Sequence, residues 1–159
     1  MDYRWLVFLH VGAVLVFMLA HGVQVMVTWK KRWEADPAQN LALFGPLPDV
    51  RWLRYSGLAV VVTGLTATAY ANLWMQAWIW ISLATLIAIW VLMYFWGGAY
   101  FNLTEQAAEV ALAAAGTASA AEATRAFDRA RHSRLVPAMT AVGVGGVALI
   151  LWLMIFEPF

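Results

Sequence analysis

Four stretches of this sequence stay apolar for longer than a soluble helix requires: residues 5–29, about 55–75, about 77–101 and about 135–156. About 20 apolar helical residues cross the hydrocarbon core of a bilayer, so each stretch has the length of a membrane span. The first reads WLVFLHVGAVLVFMLAHGVQVMVTW and runs 25 residues without a formal charge. The pattern predicts an all-α protein, a single domain over residues 1–159 built as a four-transmembrane-helix bundle. Gly57 and Gly64 in the second stretch, with Thr63, Thr66 and Thr68, suit close helix contact, as do Gly143, Gly145 and Gly146 in the fourth.

The connections differ in character. Residues 30–54 contain Pro37, Pro46 and Pro48 and are expected to be irregular, with a short amphipathic turn at 41–44. Residues 102–134 are richer in helix formers. There Ser119-Ala120-Ala121-Glu122 has capping-box form, so a helix should restart after the Gly116-Thr117 break. That extension is expected to run on into the fourth span, with a bend at Pro137.

Within the first span the polar residues share one side. At 100° per residue, His21 returns to within about 20° of His10, about 16 Å further along the axis. Gln24 and Thr28 continue the stripe, and Phe17 lies on it between the histidines. Polar side chains in a membrane helix face protein, cofactor or water in preference to lipid.

Composition strengthens the membrane reading. The chain is 64% hydrophobic and 12% charged, with a mean hydropathy of +0.72. A soluble domain of this size could not bury so much apolar surface. A net charge of +1 gives no basis for nucleic-acid binding. Cysteine is absent, which excludes disulfides, thiolate metal sites, cysteine nucleophiles and covalent c-type haem. The N-terminal apolar run is much longer than a signal-peptide core and is expected to be a retained helix. Nine of the ten basic residues fall in the two long connections and only Arg4 falls elsewhere. By the positive-inside rule those connections are cytoplasmic, both termini are on the outer side, and a cytoplasmic helical extension precedes the fourth helix.

The candidate chemistry centres on His10 and His21. A neutral imidazole facing an apolar slot can ligate the iron of b-type haem, making both residues candidate haem-binding and metal-ligating positions. Two alternatives stand beside this: interhelical hydrogen bonding, and a proton or ion pathway along the His10–His21–Gln24 stripe. A second axial ligand has three possible sources. One is a parallel homodimer, another is Met93 (near the depth of His21, with Met139 a poorer match), and the third is a five-coordinate iron. Arg131 and His132, in a basic run ahead of the fourth span, suit either lipid headgroups or a haem propionate. The methionines are too dispersed for a copper relay, and Glu105 with Glu109 make a weak metal pair. No Ser-His-Asp order, phosphate loop or HExxH pattern points to hydrolysis or phosphoryl transfer.

The phrase Leu9-His10-Val11-Gly12-Ala13, then His21-Gly22, then Lys30-Lys31-Arg32 ahead of Asp36-Pro37, resembles an uncharacterised bacterial family of four-helix integral membrane proteins. The closing Leu153-Met154-Ile155-Phe156-Glu157-Pro158 is similar to that family's ending, although Glu157 stands where a basic residue is usual. More distantly, a histidine early in the first helix is similar to copper-resistance D and protoporphyrinogen-oxidase J-type membrane proteins. The resemblance implies a multi-pass protein of the bacterial inner membrane, with His10 and His21 as candidate ligand positions for haem or copper. Apart from the resemblance, the abundant Trp and Gly faces are also compatible with contact surfaces in a homodimer or a larger membrane complex, in which the chain would be a non-catalytic accessory or assembly subunit. The further histidines of the oxidase-type proteins are missing here.

Overall fold

The computed structural model describes residues 2–43 and 50–158, and every regular element among them is a helix. The helices are α1 (Tyr3–Trp33), α2 (Pro37–Ala42), α3 (Val50–Tyr70), α4 (Ala77–Ala113), α5 (Ala120–Arg131) and α6 (Leu135–Phe156). Among the described residues three stretches, Tyr3–Trp33, Ala77–Ala113 and Ala120–Phe156 (α5 together with α6), are long and apolar enough to cross a membrane. They indicate a lipid bilayer environment, because only helices and closed barrels satisfy their own backbone groups in hydrocarbon.

The 21-residue α3 is not among those three. Ser56, Thr63, Thr66 and Thr68, two glycines and two arginines dilute its apolar character. Its threonine hydroxyls return to the backbone: Thr66 Oγ1 donates to the Val62 carbonyl at 2.7 Å and Thr68 Oγ1 to that of Gly64 at 3.0 Å. Helix and environment are thus reconciled locally, residue by residue.

Several boundaries depart from the sequence pattern. The second apolar stretch ends as helix at Tyr70, not at residue 75, where Asn72 adopts a φ of 55°. Leu73 N–H donates to the Thr68 carbonyl and Asn72 N–H to that of Ala69, forming a Schellman closure with Asn in the left-handed position. The third stretch does not stop at residue 101. It continues to Ala113, since the alanines, Leu103, Glu105, Gln106 and Glu109 are good helix formers. The connection after α1 holds a regular element, with Pro37 in the first turn of α2 and Asp36 Oδ1 accepting from Ala38 N–H at 2.9 Å. The turn expected at 41–44 reaches beyond the described residues, as do Pro46 and Pro48.

Helix α5 restarts after Gly116 as expected, but without a capping box. Ser119 is in the right-handed helical region, makes no side-chain cap, and its hydroxyl pairs with Thr117 Oγ1 at 2.9 Å. Nor does α5 pass into the fourth span through a bend at Pro137. The helix ends at Arg131 with His132 as its C-cap, and Pro137 sits in the first turn of α6, where its missing N–H leaves nothing unpaired.

The chain divides into two compact units. The first comprises Met1–Gln24, Pro48–Ile87 and Gly146–Phe159. Its buried apolar residues include Leu6, Phe17, Ile79 and Leu153, and Tyr3 stacks on Tyr70 with ring centroids 6.3 Å apart. The second comprises Val25–Leu47 and Ala88–Gly145. It carries two cores. One packs Phe127 and Ala123 of α5 against Ala108 and Ala111 of α4. The other gathers Tyr100, Val136 and Met139 with Trp29, Met93 and Trp96 around them.

Candidate functional site

The histidine stripe of α1 coincides with its inward face. Leu6 and Phe17 are buried, and His10, Val14, His21, Gln24 and Thr28 are partly buried. The opposite side carries Leu15, Leu19, Val23 and Met26, all exposed, as a lipid-facing surface would be. The 100° periodicity therefore located the sheltered face correctly.

The two imidazoles sit in different surroundings. His10 Nδ1 lies 3.1 Å from Thr63 Oγ1 of α3. The Thr63 hydroxyl directs its own hydrogen to the Ala59 carbonyl at 2.7 Å, so its oxygen accepts and His10 Nδ1 donates. That assignment leaves the lone pair on Nε2. The ring is seated beside Gly64, where an added Cβ would stand 3.0 Å from His10 Cε1 and 3.7 Å from Nε2. His21 instead stacks on Phe17 one turn earlier, with centroids 5.9 Å apart and planes 8° apart. Among the described residues no hydrogen bond reaches the His21 ring.

The other predicted positions belong to the second unit. Met93 packs beside the Tyr100–Val136–Met139 core. Arg131 is occupied structurally: Nε donates to Asp128 Oδ1 at 2.7 Å and Nη1 to the Arg32 carbonyl at 3.1 Å. His132 is exposed, and its Nδ1 donates to the Asp128 carbonyl at 3.0 Å as part of the α5 C-cap. His10 and His21 belong to the first unit, and Met93, Arg131 and His132 to the second. Among the described residues no three His, Asp or Glu side chains group as a metal-binding set.

The inward face supplies two imidazoles of the kind that ligate haem iron. Both rings lie in an uncharged span, and His10 has its Nδ1–H fixed by a second residue, the arrangement that presents Nε2 to a metal. The separation of about 16 Å prevents one iron from taking both imidazoles of one chain.

Some polar positions escaped the sequence pattern. Thr63 and Gly64 complete the His10 seat from 53 residues away. Asn40 is fully buried, donating through Nδ2 to the carbonyls of Lys31 at 2.7 Å and Glu34 at 3.3 Å. Lys31, also buried, donates back to the Asn40 carbonyl at 2.7 Å. Among the described residues, buried Asn40 Oδ1 and Ser82 Oγ have no hydrogen-bond partner. The long-range pairings leave no local signal, but Asn40, three residues beyond Pro37, is a polar residue in a new helix and a candidate lock.

Comparison with protein-family models, with curated proteins and with solved structures gives no match, and the chain is assigned to no family.

Proposed function

We propose that this is a b-type haem-binding protein of a bacterial inner membrane that transfers electrons, with haem held against the His10/His21 face of α1. The observation that carries the reading is the placement of both imidazoles on the sheltered face of α1. Bound haem would supply one-electron redox chemistry. The chain's part is ligation, orientation and exclusion of water. His21, stacked on Phe17 and without another hydrogen-bond partner among the described residues, is the better candidate for axial ligation. His10 is already engaged. We further read α3 as a fourth crossing, with both termini on the side opposite the basic connections.

A second reading has an observation of its own. The His10 ring fills the Gly64 notch and bonds Thr63, so fastening α1 to α3 accounts for this residue without a cofactor. Under that reading the protein is a non-catalytic accessory or assembly subunit of a larger membrane complex.

Absorption spectroscopy decides between them. Protein purified from cells supplied with a haem precursor is expected to show sharp α and Soret bands in the reduced-minus-oxidised spectrum. His21→Ala should abolish or shift them. A colourless, monodisperse protein would overturn the haem reading and leave the accessory role.

A further inference from the structure

We propose that the groove between α4 and α5 binds one anionic phospholipid, its phosphate at Arg129 and an acyl chain over Leu103 and Ala107. This site is independent of the histidine face. The groove has a volume of about 350 Å³ and is lined by Leu103 and Ala107 of α4, Ala126, Arg129 and Ala130 of α5, and Ser133 of the following turn. Three of these six are alanines, so small side chains create the space. Phe127, Ala123 and Ala130 bury the neighbouring face of α5, which fixes the groove wall.

The charges complement a phosphate. Arg131 is consumed by Asp128 and the Arg32 carbonyl, whereas Arg129 is exposed and forms no ion pair among the described residues. Glu105 and Glu109 project about 140–180° around α4 from the Leu103–Ala107 flank, away from the groove. Glu122, on the Arg129 side of α5, is seven residues earlier and about 10 Å along the axis. The mouth therefore offers a guanidinium with no carboxylate opposite it.

Position and size select a lipid. The groove begins just past the apolar run that ends at Phe101, and α6 begins two residues after Ser133, so with those apolar segments in a bilayer both walls would lie near headgroup depth. A cationic recess at that depth with an apolar floor matches a phosphate joined to a hydrocarbon chain. The volume is at the lower end for small-molecule sites and too small for a docked helix, about 10 Å across. One arginine beside an apolar floor is a poor trap for a free anion in water.

Native mass spectrometry of the detergent-purified full chain tests the proposal, with phosphatidylglycerol and phosphatidylcholine of identical acyl chains as probes. One phosphatidylglycerol should be retained, about tenfold more tightly than phosphatidylcholine. Arg129→Ala should weaken it about fivefold, and Ala107→Trp should exclude it by filling the floor. Arg125→Ala, which removes a neighbouring cation outside the groove, should leave it unchanged. Equal retention of the two lipids, or equal losses in Arg125→Ala and Arg129→Ala, would overturn the site in favour of general attraction to a basic surface. Displacement by millimolar inorganic phosphate would overturn it in favour of a free-anion site. Should Ala107→Trp fail to fold, as judged by size-exclusion chromatography, the two arginine variants still decide the matter.

Discussion

At the scale of single residues, the seat of His10 makes the sharpest claim. The glycines of this chain are not interchangeable: a Cβ at Gly64 would meet the His10 ring, but at Gly12, Gly98 or Gly145 it would meet nothing within 4 Å. Alanine in a helix is favoured over glycine by about 1 kcal/mol, and forcing a packed ring aside costs about 1–3 kcal/mol. Gly64→Ala should therefore be net destabilising by about 1 kcal/mol, and Gly98→Ala neutral or stabilising, when thermal unfolding is followed in detergent. A Gly64→Ala variant that melts above wild type would show that the ring is not seated there. The sequence revealed the stripe because helical periodicity is a local property. It did not reveal Thr63, because a partner 53 residues away is chosen by packing. The fourth-span glycines show the same limit: Gly143 is buried, whereas Gly145 opens onto empty space.

At the scale of elements, the chain was most legible where hydropathy alone decides. The predicted fourth span coincides with α6, and α1 exceeds its apolar run only by a few residues at each end. Boundaries were lost where propensity or capping took over, as in the long tail of α4 and the Asp36-Pro37 start of α2. Two predictions belong here. Asn40→Ala removes both of the side chain's donated bonds from the α1 exit and should cost about 1–3 kcal/mol, read from the melting transition. Exchange of Asn40 for a residue without an amide that left the melt unchanged would show the lock to be idle. Asn72→Ala places an ordinary side chain in the left-handed position and should cost about 1 kcal/mol, while Asn72→Gly should be tolerated. The predicted capping box failed for a stated reason: Ser119 satisfies its hydroxyl on Thr117 instead of on a backbone N–H.

At the scale of the whole molecule, composition identified a membrane protein, but the number of crossings turns on α3. The chain has no cysteine, so single-cysteine variants can be labelled without background. Ala35→Cys and Met75→Cys bracket α3 at exposed positions. If α3 crosses, a membrane-impermeant maleimide added to one side of sealed vesicles should label one and spare the other. Labelling of both from the same side would reduce the count to three. The candidate site was legible only in part, since sequence placed the histidines on a sheltered face but carried no information about which nitrogen each would have to spare. One further feature bears on behaviour in the bilayer. Arg32 donates to the Ser133 carbonyl at 2.6 Å while Arg131 donates to the Arg32 carbonyl at 3.1 Å. Each arginine thus shields a carbonyl in the other's segment. Neither the first helix's exit nor the last helix's approach can loosen without exposing the other's backbone, so the two ends should melt as one event.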